Sequence, residues 1–494
     1  MKNTHISDAL GQLDDELILE AGQLREKGIG RRIWTKVLAA AGAVALAAIL
    51  GAVLWPHFSD GDDVMEITAA SAYAVAQAEY PEMAPYPNEE EFFNHNGMFD
   101  SDGFDKVYDA WINDRAAQTN QYDGYADGLD RMFSLTTRQF LSGSEGENRV
   151  YSPVNVYMAL SMLAEITDGQ SREQILDLIG AQSIEDVRRQ ANAVWNANYC
   201  NDGAVRSVLA NSIWLNDSVE YKQDTINRLA QKYYSSVFSG VMGSEDYNDA
   251  LRGWLNEQTD GLLADQTEGL SMDASTVISL ASTINFRAKW NSEFSESQTT
   301  EGIFRSPGGD ITCDFMHQSR DMNYCWGEGF GAISLPFENS GRMLLVLPDE
   351  GVSIDSLLAD DTAMGLFLGG MDTSNCKRVI VNMSVPKFDV VSDMDLIEGL
   401  KSLGVTDAFD FERSDFSPLT DQVQAIAVTN ASHAARVQID EEGCTAVAYT
   451  VMLACGAAMP PDDQVDFVLD RPFIFVIFGQ DELPLFVGAV NKPV

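Results

Sequence analysis

The chain has 494 residues, 75 of them acidic against 32 basic, for a net charge of −43. Apolar residues make up 45%, enough for a large core, which argues against a wholly disordered chain. The charge excludes a nucleic-acid partner, because that binding needs Lys and Arg to neutralise phosphates.

Enzyme signatures are missing. None of the six cysteines forms a CxxC pair and none of the five histidines an HExxH pair, so no metal site is expected. No GxxxxGK[ST] or GxSxG string occurs either. No cofactor is expected, and a binding or inhibitory protein is favoured over a hydrolase.

In chain order, the first element is apolar. Residues 37–55 carry no charged or strongly polar side chain. A helix of that length runs roughly 28 Å, about the thickness of a bilayer's hydrocarbon core. Trp34 and Trp55 bracket it as interfacial aromatics do. The rival reading is a cleaved signal peptide, whose apolar region is shorter, nearer the start and followed by a polar cleavage region. Arg25, Lys27, Arg31, Arg32 and Lys36 precede the span, and no Lys or Arg follows until Lys106. The positive-inside rule then predicts a cytoplasmic tail over 1–34, a membrane helix over 35–55 and an extracellular remainder. The expectation is a single-pass protein of the cell membrane.

Residues 56–100 read as an acidic stalk, with Pro81, Pro85 and Pro87 favouring extended, partly stiff chain. Phe104, Val107, Tyr108, Trp111 and Ile112 then recur at helical spacing. Leu129, Met132, Phe133, Thr136 and Phe140 line one face of a further helix. Ser152-Pro153 opens an almost wholly apolar helix over 154–164, which belongs at the centre of a large domain. Helical patterns over 221–234, 247–259 and 395–403 alternate with strand-like runs at 212–215, 343–347, 379–381, 437–439 and 473–477. These predict one α+β domain, 101–494 with its N-terminal extension included.

Several strings share the order of one family. Asn148-Arg149-Val150-Tyr151-Ser152-Pro153, Leu209-Ala210-Asn211-Ser212-Ile213-Trp214 and Asn285-Phe286-Arg287-Ala288-Lys289-Trp290 are three of them. Val385-Pro386-Lys387-Phe388 and Leu403-Gly404-Val405-Thr406-Asp407-Ala408-Phe409 follow, and Asp470-Arg471-Pro472-Phe473-Ile474-Phe475 with Leu485-Phe486-Val487-Gly488-Ala489-Val490 close the chain. Over residues 125–494 the sequence resembles the serpins. The resemblance implies three β-sheets, eight or nine helices and an exposed reactive loop. It also implies a suicide-substrate mechanism, in which a serine protease cleaves the loop, is held as an acyl-enzyme, and is distorted as the loop inserts into the main sheet. An anchored member suggests a bacterial cell surface.

The loop's own residues meet the demands of insertion. From Cys444 to Met459 there is neither charge nor proline, so every backbone N–H is available and no charge need be buried. Alternation puts Cys444, Ala446, Ala448, Thr450, Met452 and Ala454 on one mostly small face. Residues 443–457 would span roughly 46 Å, far more than an ordinary strand. The hinge is Glu441, Glu442, Gly443, Cys444, Thr445, Ala446, Val447 and Ala448, with Gly443 giving conformational freedom. A Cys444–Cys455 disulfide would block insertion. The family's spacing from the hinge glycine puts the scissile bond at Ala457–Ala458, with Cys455–Gly456 and Ala458–Met459 as alternatives, and four extra residues in the acidic segment 462–466. A small residue before the bond suits an elastase- or subtilisin-like target, since the loop has no Arg or Lys.

The resemblance further assigns a polar switch beneath the main sheet to Ser152, Asn155, Ser282 and His433, with Trp290 below the loop. Asn155 and Ser282 exchange the residue types usual in the family. The alternative to inhibition is a non-inhibitory serpin acting as a cell-surface binding or carrier module.

Overall fold

The computed structural model describes residues 69–144, 146–370, 373–422, 426–444 and 463–493. The apolar segment 37–55, the loop over 445–462 and its scissile bond lie outside them. Among the described residues no helix is long and apolar enough to cross a membrane.

The main sheet is built, in chain order, from β1 (Ala74–Ala76), β2 (Arg206–Asn216), β3 (Ser235–Gly240), β4 (Ile278–Lys289), β5 (Phe388–Asp395), β6 (Val428–Ile439) and β7 (Gly443–Cys444). Across the sheet they run β1-β3-β2-β4-β7-β6-β5, with the two-residue strand Cys200–Asn201 paired to β2 off this path. Strands β2 and β4 are buried along nearly their whole length, and such two-sided burial requires apolar cover on both faces. On one side the crossing helix Glu245–Gln258 provides it. Its Tyr247 lies 5.2 Å from Trp214, and its Trp254 lies 6.4 Å from Phe238. On the other side stand α1 (Pro153–Ile166), with every residue buried, and its neighbours.

The proline in the first turn of α1 leaves no N–H to satisfy, and the Ser152 hydroxyl caps the helix by accepting the Asn155 N–H at 3.1 Å. The one charge on α1, Glu165, is fully buried. Its carboxylate accepts from Arg188 at 2.6 and 2.8 Å, from Arg228 at 2.7 Å and from the Tyr233 hydroxyl at 3.0 Å. Burial acts to raise this carboxyl, but the arginine hydrogen bonds outweigh it and hold it below the usual range.

Among the described residues the strands form two sheets, where the resemblance implies three. The second sheet runs Gln464–Val468, Cys376–Pro386, Gly309–Gly327, Phe330–Pro336, Arg342–Pro348, Phe473–Phe478, Pro484–Val490 and Arg149–Tyr151, with Thr300–Ser306 paired to Gly309–Gly327 off this path. The 19-residue strand Gly309–Gly327 passes through both halves, so hydrogen bonding joins what the resemblance implies as two sheets. The described residues form eleven α-helices rather than eight or nine. Strand Gln464–Val468 also claims most of the acidic segment placed in the loop.

Residues 69–100, expected as a stalk, lie against the domain from Ala69 onward. Strand β1 pairs antiparallel with β3 (Ala74 with Phe238, Ala76 with Val237) and covers that edge of the main sheet. Tyr80 lies 5.2 Å from Trp195 and 5.6 Å from Tyr199. Helix Ser101–Thr119 follows, fastened by a buried Arg115–Asp202 ion pair. Aromatic burial outweighs the stiffness that proline gives this stretch.

Candidate functional site

Strands β4 and β6 are parallel neighbours only at their lower ends, where Ile278 pairs with Val428 and Ser282 with His433. Above that level they part. At the top, β7 stands between them, with Gly443 opposite Lys289, Cys444 opposite Ala288, and Cys444 opposite Ile439. Ala288 and Ile439 each lie six residues above the Ser282–His433 pair, so both flanking strands reach the same height. A strand continued from Cys444 would keep register with both.

The hinge is held by its own backbone. The Asp440 carboxylate accepts the N–H groups of Glu442 and Gly443 at 3.0 and 3.1 Å. Trp290 donates its indole N–H to the Asp440 carbonyl at 3.0 Å and its backbone N–H to that of Glu442 at 2.9 Å. Its ring stacks on Phe337 with centroids 4.8 Å apart. Glu441 is buried and accepts from Thr299 at 2.7 Å and Lys387 at 2.8 Å. Burial raises its carboxyl, but the Lys387 and Thr299 hydrogen bonds prevail and leave it below the ordinary range. Gly443 is required by close approach: a Cβ there would lie 2.3 Å from the Ala288 carbonyl oxygen. Cys444 is buried and is a free thiol, and its suggested partner Cys455 lies outside the described residues. Burial pushes its thiol far up, away from the reactive thiolate.

Among the described residues the one disulfide is Cys325–Cys376, between direct cross-strand partners in the second sheet with Cα atoms 4.1 Å apart. Their sequence separation of 51 gave no local signal.

Of the switch residues, the structure links Ser152 to His433, while Asn155 joins only through its backbone N–H, which donates to the Ser152 hydroxyl, and its side-chain amide makes no hydrogen bond. The Ser152 N–H donates to His433 Nε2 at 3.0 Å, which leaves the proton of the neutral ring on Nδ1. Burial lowers the imidazole to about 4, so it is neutral at pH 7. Ser282 is the cross-strand neighbour of His433, yet its hydroxyl donates to Asn211 Oδ1 at 2.9 Å. Asn211, on β2, is the member the sequence reading missed, although it stands inside one of the quoted strings. The buried amide therefore comes from β2, one strand over from Ser282. Trp290 stands apart, eight residues up β4 from Ser282, roughly 26 Å away, and belongs to the hinge.

The family model for serpin (serine protease inhibitor) matches residues 130–493. The chain belongs to the serpin family. Among relatives, a serpin-Z2B of Oryza sativa subsp. japonica is 26% identical over 408 residues, covering 75% of this chain and 98% of that one. Plasminogen activator inhibitor 1 of Mus musculus is 26% identical, covering 72% of this serpin and 89% of the relative. Among solved structures, the thermophilic serpin tengpin in its native state matches with a TM-score of 0.67 at 24% identity, over 76% of this chain and 96% of that chain. Thyroxine-binding globulin in complex with thyroxine matches with a TM-score of 0.64 at 22% identity, over 76% and 100%. These two likenesses establish the fold alone. Serpins are in general protease inhibitors rather than enzymes.

Proposed function

We propose that this serpin is a suicide-substrate inhibitor of an elastase- or subtilisin-like serine protease, trapping the acyl-enzyme by inserting its cleaved loop between β4 and β6. The observation that carries the reading is β7, two hinge residues already paired at the mouth of that gap. Continuing the antiparallel register from Cys444 opposite Ala288 sets Ala446 opposite Phe286, Ala448 opposite Ile284 and Thr450 opposite Ser282. The alternating small residues then fall on the face that carries buried Cys444, where close packing demands them. His433, Ser152, Asn155 and Ser282 mark the level where β4 and β6 must separate further. The hydrogen bonds there, Ser152 N–H to His433 and Ser282 to Asn211, are buried and uncharged and suit a contact that opens without exposing a charge. A non-inhibitory carrier has no such support, since the run from Cys444 to Met459 lacks the charge or proline that would stop insertion.

The proposed placement is extracellular, on a single-pass anchor over 35–55 with 1–34 cytoplasmic. The charge asymmetry around the apolar span supports it, and the Cys325–Cys376 disulfide suits an oxidising compartment. The plant and mammalian relatives lend no support to a bacterial host, and the proposal is confined to the anchor.

The test is incubation with an elastase-like protease, followed by denaturing electrophoresis and mass spectrometry. An SDS-resistant complex is expected, with a released C-terminal fragment beginning at Ala458. Cleavage without a complex would refute inhibition. A complex with a fragment beginning at Gly456 or Met459 would move only the scissile bond.

A further inference from the structure

Helix Ser101–Thr119 and the hairpin before it lie outside the residues that match the family, 130–493. In the hairpin, Phe93 and Phe99 form an antiparallel bridge. The Asn94 N–H donates to the Met98 carbonyl at 2.9 Å, and the Asn94 side-chain oxygen accepts the N–H groups of Asn96 and Met98 at 2.9 and 3.0 Å. Phe104, buried near the start of the helix, receives the rings of Phe92 and Phe99, each centroid 5.4 Å away. Backbone hydrogen bonds and ring packing together fix the loop in one conformation.

What this fixed loop presents to solvent is apolar. Phe93, Met98 and Phe99 are 53%, 66% and 37% exposed, and the Phe93 and Phe99 rings lie 5.1 Å apart. Apolar side chains gathered in one place and rimmed by polar groups mark interaction surfaces. Aromatic and Met side chains are the types enriched at the centres of interfaces, and a loop already held in one conformation loses little entropy on binding.

The rim is acidic. Glu90, Glu91, Asp100, Asp102, Asp105 and Asp109 flank the hairpin and are all exposed, while Lys106 is the one exposed Lys or Arg over residues 88–114. Among the described residues, the ion pair that residues 88–119 make is the buried Arg115–Asp202, so the six carboxylates carry uncompensated charge. Their sign selects the occupant. A second copy would bring the same carboxylates against these, and like charges across an interface are costly. Apolar faces that rest on lipid are flanked by Lys and Arg, the reverse of this rim. A partner that is basic around an apolar centre complements both features.

We propose that the 93–99 hairpin docks a basic amphipathic segment of a partner protein, whose aliphatic or aromatic side chains rest on Phe93, Met98 and Phe99 while its Lys or Arg residues face the surrounding carboxylates. The surface is independent of the reactive loop and of protease inhibition.

The test follows amide exchange by mass spectrometry over residues 92–107 of the full-length chain in non-ionic detergent. The probe is a synthetic amphipathic helix of Leu and Lys; the controls are the same helix with Glu for Lys and a Lys–Ser peptide of equal charge. The Leu–Lys helix should slow exchange there saturably, and neither control should match it. Phe93→Ser/Met98→Ser keeps every charge and should weaken the helix about tenfold or more, with the thermal midpoint near that of the parent because both side chains are exposed. Should that midpoint fall, Met98→Ser alone replaces it, at the most exposed of the three. Asp102→Asn/Asp105→Asn/Asp109→Asn should flatten the salt dependence of binding. Equal protection by either control, or an affinity untouched by the apolar substitutions, would overturn the proposal. So would a dimer in sedimentation that Phe93→Ser/Met98→Ser dissolves, or protection of the hairpin by phosphatidylcholine–phosphatidylglycerol vesicles without peptide; these outcomes would assign the surface to a second copy or to lipid.

Discussion

At the scale of the residue, His433 makes stability depend on pH. Its folded imidazole titrates near 4 against an ordinary 6.5, because burial disfavours the charged ring. Between those values the unfolded chain binds a proton that the folded chain refuses. This contribution is complete above pH 6.5 and declines as pH falls towards 4, by up to about 3 kcal/mol. Denaturation midpoints at pH 7.5 and 4.5 should therefore differ less in His433→Gln, whose amide oxygen can still accept the Ser152 N–H. Carboxylates elsewhere titrate in both proteins and cancel in the comparison. Gly443 supplies the second residue-scale prediction. In Gly443→Ala the new methyl group meets the Ala288 carbonyl, and overpacking of that kind costs about 1–3 kcal/mol. The two hinge pairs should be lost, read as faster amide exchange at Gly443 and Cys444 with exchange along β2 unchanged.

At the scale of the element, the loop must become a strand flanked on both sides. Ala446 would then lie opposite Phe286, on the face that carries buried Cys444. Ala446→Glu forces a carboxylate into that interior, at a cost of several kcal/mol. The variant should be cleaved at the same bond while the stoichiometry of inhibition rises severalfold and the covalent complex fades. Inhibition at unchanged stoichiometry would sink the insertion reading. The same element shows what a single sequence conveys. The lack of charge and proline from Cys444 to Met459 is a local property and is legible at once. That Gly443 and Cys444 are already paired with β4, and Cys444 with β6 as well, is a matter of register between remote segments.

At the scale of the whole molecule, Cys325–Cys376 closes a span of 51 residues that holds strands Phe330–Pro336 and Arg342–Pro348 and the two short helices after them. Loop-closure entropy for a span of that size gives about 4 kcal/mol as an upper figure, and native bridges commonly give 2–4. The double variant Cys325→Ser/Cys376→Ser should lose an amount in that range by urea denaturation. Reductant should bring the parent down to the variant's midpoint and leave the variant unmoved. Buried Cys200, Cys313 and Cys444 are free, and burial or a carboxylate neighbour keeps each of them a thiol.

What the sequence determined by itself is local or carried by motif. Helical and alternating periodicities located α1, the crossing helix and the strands around Trp214 and Phe473, because burial of one face imposes a period within a few residues. The ordered strings named the family, and the spacing from the hinge glycine found His433. Tertiary structure alone decided the rest. The Ser282 hydroxyl chose Asn211 because β2 and β4 meet in that register. Cys325 found Cys376 because two strands lie antiparallel in one register. Residues 69–100 became part of the domain because Tyr80 and Tyr86 met aromatic partners at Trp195, Tyr199 and Trp111, and Arg115 met a buried carboxylate far along the chain. Each is a pairing between segments distant in sequence, set by the geometry of the packed sheets, and no property of either segment alone encodes it.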